Sequence, residues 1–149
     1  TFTWPIFWVE LIGTAVFLFG LVSVLKRTDL SSYAKAFGIG MSIFVALAVA
    51  GTLQATVRQA AITRYQNETS KSQNTQAAIP HEVFVSGATL NPAVALAATE
   101  TTEASLRGQS ATGDEKHYSR LSWEVILGTL IGAALGANLA LLLGYRYRD

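Results

Sequence analysis

Three apolar runs set the limits on what this chain can fold into. Ile6 to Leu25 is twenty residues with one charge, Glu10; Ala36 to Leu53 is eighteen with none; Val125 to Tyr145 is twenty-one with none. A hydrocarbon core about 30 Å thick takes roughly 20 helical residues to cross, and a helix satisfies its own backbone there. The runs predict one membrane domain over residues 1–149, with spans at about 4–25, 34–60 and 122–145. Trp4, Trp8, Tyr33, Trp123, Tyr145 and Tyr147 fall near the ends, where interfacial aromatics belong. Only 14% of residues are charged, against roughly 25% in an ordinary soluble domain. A net charge of +1 gives no field for steering toward phosphate, so a nucleic-acid partner is excluded. The lipid bilayer is the first partner expected. The chain has no cysteine, which excludes a disulfide framework and thiolate chemistry. No basic stretch precedes the first span, as a cleavable signal peptide would need.

The region between the second and third runs has a different character. Gln54 to Tyr65 has no Gly or Pro, and Val57, Ala60, Ala61 and Tyr65 suit a helix, so the second helix is expected to continue past the membrane. A polar insertion at about 62–82 follows, in which Gln66 to Gln76 has no apolar residue and reads as a mobile loop. Residues 99–121 read as a second, solvated polar loop. Between the two lies Val83 to Ala98, apolar but too short to span. Asn91 followed by Pro92 is a helix start, because Asn caps well and Pro is favoured at the first helical position. An extended stretch leading into a short apolar helix at 91–98 predicts a re-entrant half-helix. Such backbone is tolerated in a membrane only where protein or a water-filled cavity surrounds it.

Ser86-Gly87-Ala88-Thr89-Leu90-Asn91-Pro92-Ala93-Val94 resembles the first-repeat signature of the aquaporin and glycerol-facilitator family, the major intrinsic proteins. Glu10-Leu11-Ile12-Gly13-Thr14 resembles that family's first-helix motif, and Ala36-Phe37-Gly38-Ile39-Gly40 the start of its second helix. The resemblance implies an all-α integral membrane fold of three transmembrane helices plus one re-entrant half-helix, half of an aquaporin-like fold. It implies that Asn91, Pro92 and Ala93 line a pore, and that Phe37 supplies an aromatic to the narrow filter. It also implies that Glu10 accepts hydrogen bonds from the half-helix loop, in which Ser86 and Gly87 lie. Chain chemistry alone asks a partner for Glu10, because a carboxylate about 9 Å in from Trp4 is costly unless paired within the protein. The chain departs from the family pattern in three respects. It carries one repeat and one Asn-Pro-Ala, and more than thirty residues separate the second run from Ser86. In the third run, Val125 and Thr129 stand where the family has a Gln before a Gly.

Gly128, Gly132, Gly136, Ala140 and Gly144 recur every four residues, as do Gly38, Ser42, Ala46 and Ala50; such spacing lets membrane helices pack closely. Asn138 lies off the first stripe and is expected to hydrogen-bond within the bundle. Gly38-Ile39-Gly40 lacks the third glycine of a dinucleotide loop, and His81-Glu82-Val83-Phe84-Val85 lacks the second His of a zinc helix. No nucleophile and base share an element, so no enzyme, cofactor or metal is expected. The expected function is passive passage of water or a small neutral solute through a half-repeat that needs another membrane chain or a second repeat to complete the pore. An antiparallel homodimer is the less favoured route to that pore. The alternative is a non-conducting structural subunit of a larger membrane complex. Topology is not set by charge: Arg58, Arg64, Lys71, Arg107, Lys116 and Arg120 flank one side, and Lys26, Arg27, Lys35, Arg146 and Arg148 the other.

Overall fold

A computed structural model of the chain describes residues 2–71, 79–85, 87–98 and 120–146. The described residues are helical, with no strand: α1 (Trp4–Leu25), α2 (Ser32–Lys71), a 3-10 turn at His81–Val83, α3 (Pro92–Ala97) and α4 (Trp123–Arg146). Segments of α1, α2 and α4 are long and apolar enough to cross a membrane.

The two small-residue stripes decide how these helices pair. A methyl placed on Gly128 would stand 2.8 Å from the Phe7 carbonyl, and methyls on Gly132 and Gly136 would overlap the carbonyls of Leu11 and Ala15. Both partner sets advance by four residues in the same direction, so α1 and α4 run parallel and backbone lies against backbone. On the other flank Gly13 meets Ala50, Gly20 meets Ser42, and Gly38 meets Val24. The numbers rise on one helix as they fall on the other, so α1 and α2 are antiparallel. Between apolar helices in lipid there is no hydrophobic drive to associate, so close van der Waals contact at small residues holds them together. The outer faces remain apolar and exposed, as at Phe44, Leu130 and Leu142. Because α1 and α4 are parallel, Trp4, Trp8 and Trp123 share one end of the bundle, and all three are exposed.

The expected end of the second helix, near residue 60, is corrected: α2 continues to Lys71. Residues 66–71 of the expected loop and the start of the 62–82 insertion are therefore helical, while residues 72–78 lie outside the described residues. The reason is local. No Gly or Pro interrupts the sequence from Thr52 to Lys71. The hydroxyls of Thr63, Thr69 and Ser70 donate to the carbonyls of Gln59, Tyr65 and Gln66, so polar side chains are satisfied along the helix itself. Ala61 is fully buried, and Arg64 lies 3.8 Å from Glu82 beside the 3-10 turn. Two further expectations are corrected. Arg120 is 8% exposed rather than part of a solvated loop. Asn138 is exposed, and its Nδ2 donates to Ala134 O of its own helix at 2.7 Å rather than across the bundle. The turn between α1 and α2 holds an exposed Arg27–Asp29 fork of 2.8 and 2.6 Å, and the Arg27 hydrogen bond helps bring the Asp29 carboxyl down to about 2. Both side chains are exposed, so the pair adds little to stability.

Gly132→Ala forces Leu11 backbone to move and should cost about 1–3 kcal/mol. Gly40→Ala meets nothing within 4 Å, and should leave stability unchanged or raise it by up to about 1 kcal/mol, since Ala is the better helix former. Thermal unfolding in detergent, followed by circular dichroism, checks the pair.

Candidate functional site

The segment from Gly87 to Ala98 is built around one buried carboxylate. Glu10 is 1% exposed on the inner face of α1. Its Oε1 accepts from Thr89 N at 2.8 Å and Thr89 Oγ1 at 3.0 Å, and its Oε2 accepts from Leu90 N at 2.7 Å. The loop can present those amides because its backbone leaves the ordinary regions. Gly87 has φ 96°, and nothing crowds the position where a Cβ would stand, so conformation rather than space calls for glycine there. Leu90 has φ 56°, uncommon for a residue with a side chain. Its side chain fills the notch left by Gly13 beside Ala50, a contact that holds it in that conformation.

The short helix starts where Asn and Pro place it. Asn91 is extended (φ −154°) and its Oδ1 accepts from Ala93 N at 2.8 Å. Pro92 is the first helical residue, and the helix ends at Ala97 with Ala98 as cap. Val85 and Ala95 pack with Ile6 of α1 and Val125 of α4, so the segment seats on the end of the α1–α4 pair that bears the tryptophans. Asn91 and Ala93 are exposed and Pro92 is half-buried.

Of the residues singled out in the sequence, Glu10 reaches this loop from α1 through Thr89 and Leu90, and Gly87 lies at the loop's start. Ser86 lies outside the described residues. Gly128, Gly132 and Gly136 form the α1–α4 seam. Phe37 is 71% exposed and is not brought to Asn91: its neighbour Gly38 meets Val24, whereas Leu90 meets Gly13, about 16 Å away along α1 at 1.5 Å per residue. His81 Nδ1 lies 3.4 Å from Thr3 Oγ1, and Thr3 N donates to Glu124 Oε1 at 2.6 Å, which ties the starts of α1 and α4 to the 3-10 turn. Among the described residues no cluster of three His, Cys, Asp or Glu could hold a metal ion.

Three residues that sequence reasoning does not single out support the loop. Gln54, 1% exposed, donates through Nε2 to Val85 O at 3.3 Å, and Arg58 Nε donates to Val83 O at 2.9 Å. Arg120 Nη2 donates to Gly87 O and stands 3.9 Å from Glu10 Oε1. A signal exists for Gln54 alone. It follows Ala46 and Ala50 at four-residue spacing on the face that packs, which places a polar group among buried small ones. In sequence the two arginines read as ordinary flanking charge.

A comparison with protein families, with characterised proteins and with solved structures finds no match for this chain.

Glu10→Ala leaves three donors without their acceptor and removes the carboxylate that faces Arg120. Breaking a buried ion pair costs about 3–5 kcal/mol, so the melting temperature should fall well below that of Glu10→Gln, which keeps one acceptor. Gln54→Leu should cost less, about 1–3 kcal/mol, for one buried carbonyl left unpaired. Thermal unfolding of the three variants in detergent checks the order.

Proposed function

We propose that this chain is one half of an aquaporin-like pathway for water or a small neutral solute. Residues 87–98 dip into the bilayer as a re-entrant half-helix, and a second half from another membrane chain or repeat closes the pathway. The observation that carries the reading is the contact of Leu90 with Gly13. Gly13 is nine residues past the exposed Trp4, about 14 Å along α1. That depth is near the middle of a bilayer core about 30 Å thick. The residue after Leu90 is the exposed cap, Asn91.

The chemistry fits a neutral oxygen as permeant. The Ala93 amide requires an oxygen acceptor, so the cap consumes Asn91 Oδ1 and turns the amide Nδ2 away from the helix. Nδ2 is then a fixed donor for a passing water or hydroxyl. The positive end of the helix beside it raises the barrier to cations. Phe37, so far from Asn91, stands as a separate ring on the pathway wall rather than a partner at the centre.

The second reading is a non-conducting subunit of a larger membrane complex. It draws on the length of α2. From the Gly13–Ala50 contact, the level of Trp4 falls near residue 59, so α2 projects about 18 Å past it. That projection with the 3-10 turn is a platform for a partner outside the bilayer.

Where a second copy of the chain supplies the other half, the full chain reconstituted in phosphatidylcholine vesicles should shrink faster than protein-free vesicles under an osmotic step, read by stopped-flow light scattering. Asn91→Asp keeps the cap but removes the donor and adds a negative charge. Its melting temperature should be unchanged, its water passage lower, and its cation leak higher. Because the chain has no cysteine, Ala93→Cys gives a reading independent of any partner. A water-filled pathway makes it reactive toward a membrane-impermeant thiosulfonate, and an inert Cys with no osmotic effect selects the second reading.

A further inference from the structure

The segment that bears Asn91 is held at its entry, its middle and its exit by two ions. Glu10 holds the middle, through the amides of Thr89 and Leu90. Arg120 holds both ends. Its side chain donates through Nη2 to Gly87 O at the entry, and its main-chain N–H donates to Ala98 O at 3.3 Å, at the cap that ends α3. The guanidinium also stands 3.9 Å from Glu10 Oε1, and the two side chains are 8% and 1% exposed. Backbone at positive φ points its peptide groups sideways, out of any helical ladder. The amides of 89 and 90 then need an anion, and the carbonyl of 87 needs a donor. One guanidinium nitrogen, Nη2, donates to that carbonyl and faces the carboxylate together.

We propose that Arg120 is a positioning residue, a clip that closes the twelve-residue stretch 87–98 on itself and ties it to the start of α4. Trp123 begins α4 just beyond Arg120, and α4 is locked to α1 by the glycine seam. The clip therefore passes the placement of a rigid helix pair on to a helix of six residues that is too short to be stable alone. The plainer alternative is that Arg120 merely neutralises Glu10. The two roles separate once position 10 is already neutral. A counter-ion to Glu10 then has no charge to answer at that position, while a clip still holds Gly87 and Ala98. The inference concerns the same site as the proposed function but rests on the loop geometry alone, so a chain that passes no solute tests it equally well.

The cysteine-free chain allows spin labels at two exposed positions, Ala97 on α3 and Leu127 on α4. In the wild type, the label at 97 should be immobile and the 97–127 distance distribution narrow. The decisive comparison is Glu10→Gln against Glu10→Gln/Arg120→Gln, with helical circular dichroism confirming that both fold. Glutamine keeps the main-chain N–H that bonds Ala98 O, so the double variant tests the side-chain half of the clip: loss of the bond to Gly87 O raises the mobile population at 97 about tenfold from the single to the double variant, the change expected on losing a hydrogen bond to a charged group, and broadens the distance distribution. Equal or lower mobility in the double variant overturns the proposal and leaves Arg120 as a counter-ion. A second measurement needs no variant. Hydrogen exchange on the wild-type chain should show the Arg120 amide protected by Ala98 O, and exchange there at the rate of an open amide also overturns the clip.

Discussion

A carboxylate buried in an apolar helix must be satisfied from outside that helix, and the arrangement of this molecule answers the demand made by Glu10. The α1 backbone has no free donors to offer it, and α2 and α4 press on its flanks with small residues. The donors come from the Thr89–Leu90 backbone and the Thr89 hydroxyl, and the nearby guanidinium is that of Arg120. The loop adopts left-handed conformations at Gly87 and Leu90 to deliver those amides. A buried ion pair is seldom a large net source of stability. Here the two side chains engage successive points of one loop, Gly87, Thr89 and Leu90, and so tie its register to α1.

That placement needs a rigid frame, and glycine supplies it. At Gly128, Gly132 and Gly136 the backbone of α4 reaches the carbonyls of α1 with no side chain between. The result is a parallel pair whose shared end is wide enough to seat Val85 and Ala95 against Ile6 and Val125. On the far flank, Gly13 leaves the space that Leu90 fills. Small residues thus do two jobs: they bring helices together, and they cut the notch that sets the depth of the loop.

The same frame leaves Asn91 exposed at the start of a capped helix, with its Oδ1 engaged by the Ala93 amide. The reading as half of a solute pathway grows from this geometry. The long α2 adds a second region of a different kind. Its inner face near the bilayer edge is tied to the chain leading into the loop by Gln54 and Arg58, through the carbonyls of Val85 and Val83. The approach to the loop is therefore held by α2, the loop itself by α1, and its two ends by the residue that precedes α4.

Local features of the sequence determined a good deal. Uninterrupted apolar runs fix three long helices, since apolar length is a property of the segment itself. Asn91-Pro92 fixes a helix start, because the cap and the first helical residue are neighbours in the chain. The four-residue glycine spacing fixes which faces can approach. The continuation of α2 to Lys71 is also legible, in the absence of Gly and Pro from Thr52 onward, but polarity there reads as a loop although hydroxyls bonded along the helix satisfy it. Tertiary structure alone decided the rest. Arg120 and Arg58 are charges that composition assigns to water, and they are turned inward only because particular carbonyls, 33 and 25 residues away in sequence, come within reach. The distance between Phe37 and Asn91 follows from the crossing of antiparallel helices rather than from any motif. Hydrogen bonds across such separations depend on where the backbone is brought in space, and a one-dimensional pattern carries the period of a helix but not the identity of what it meets.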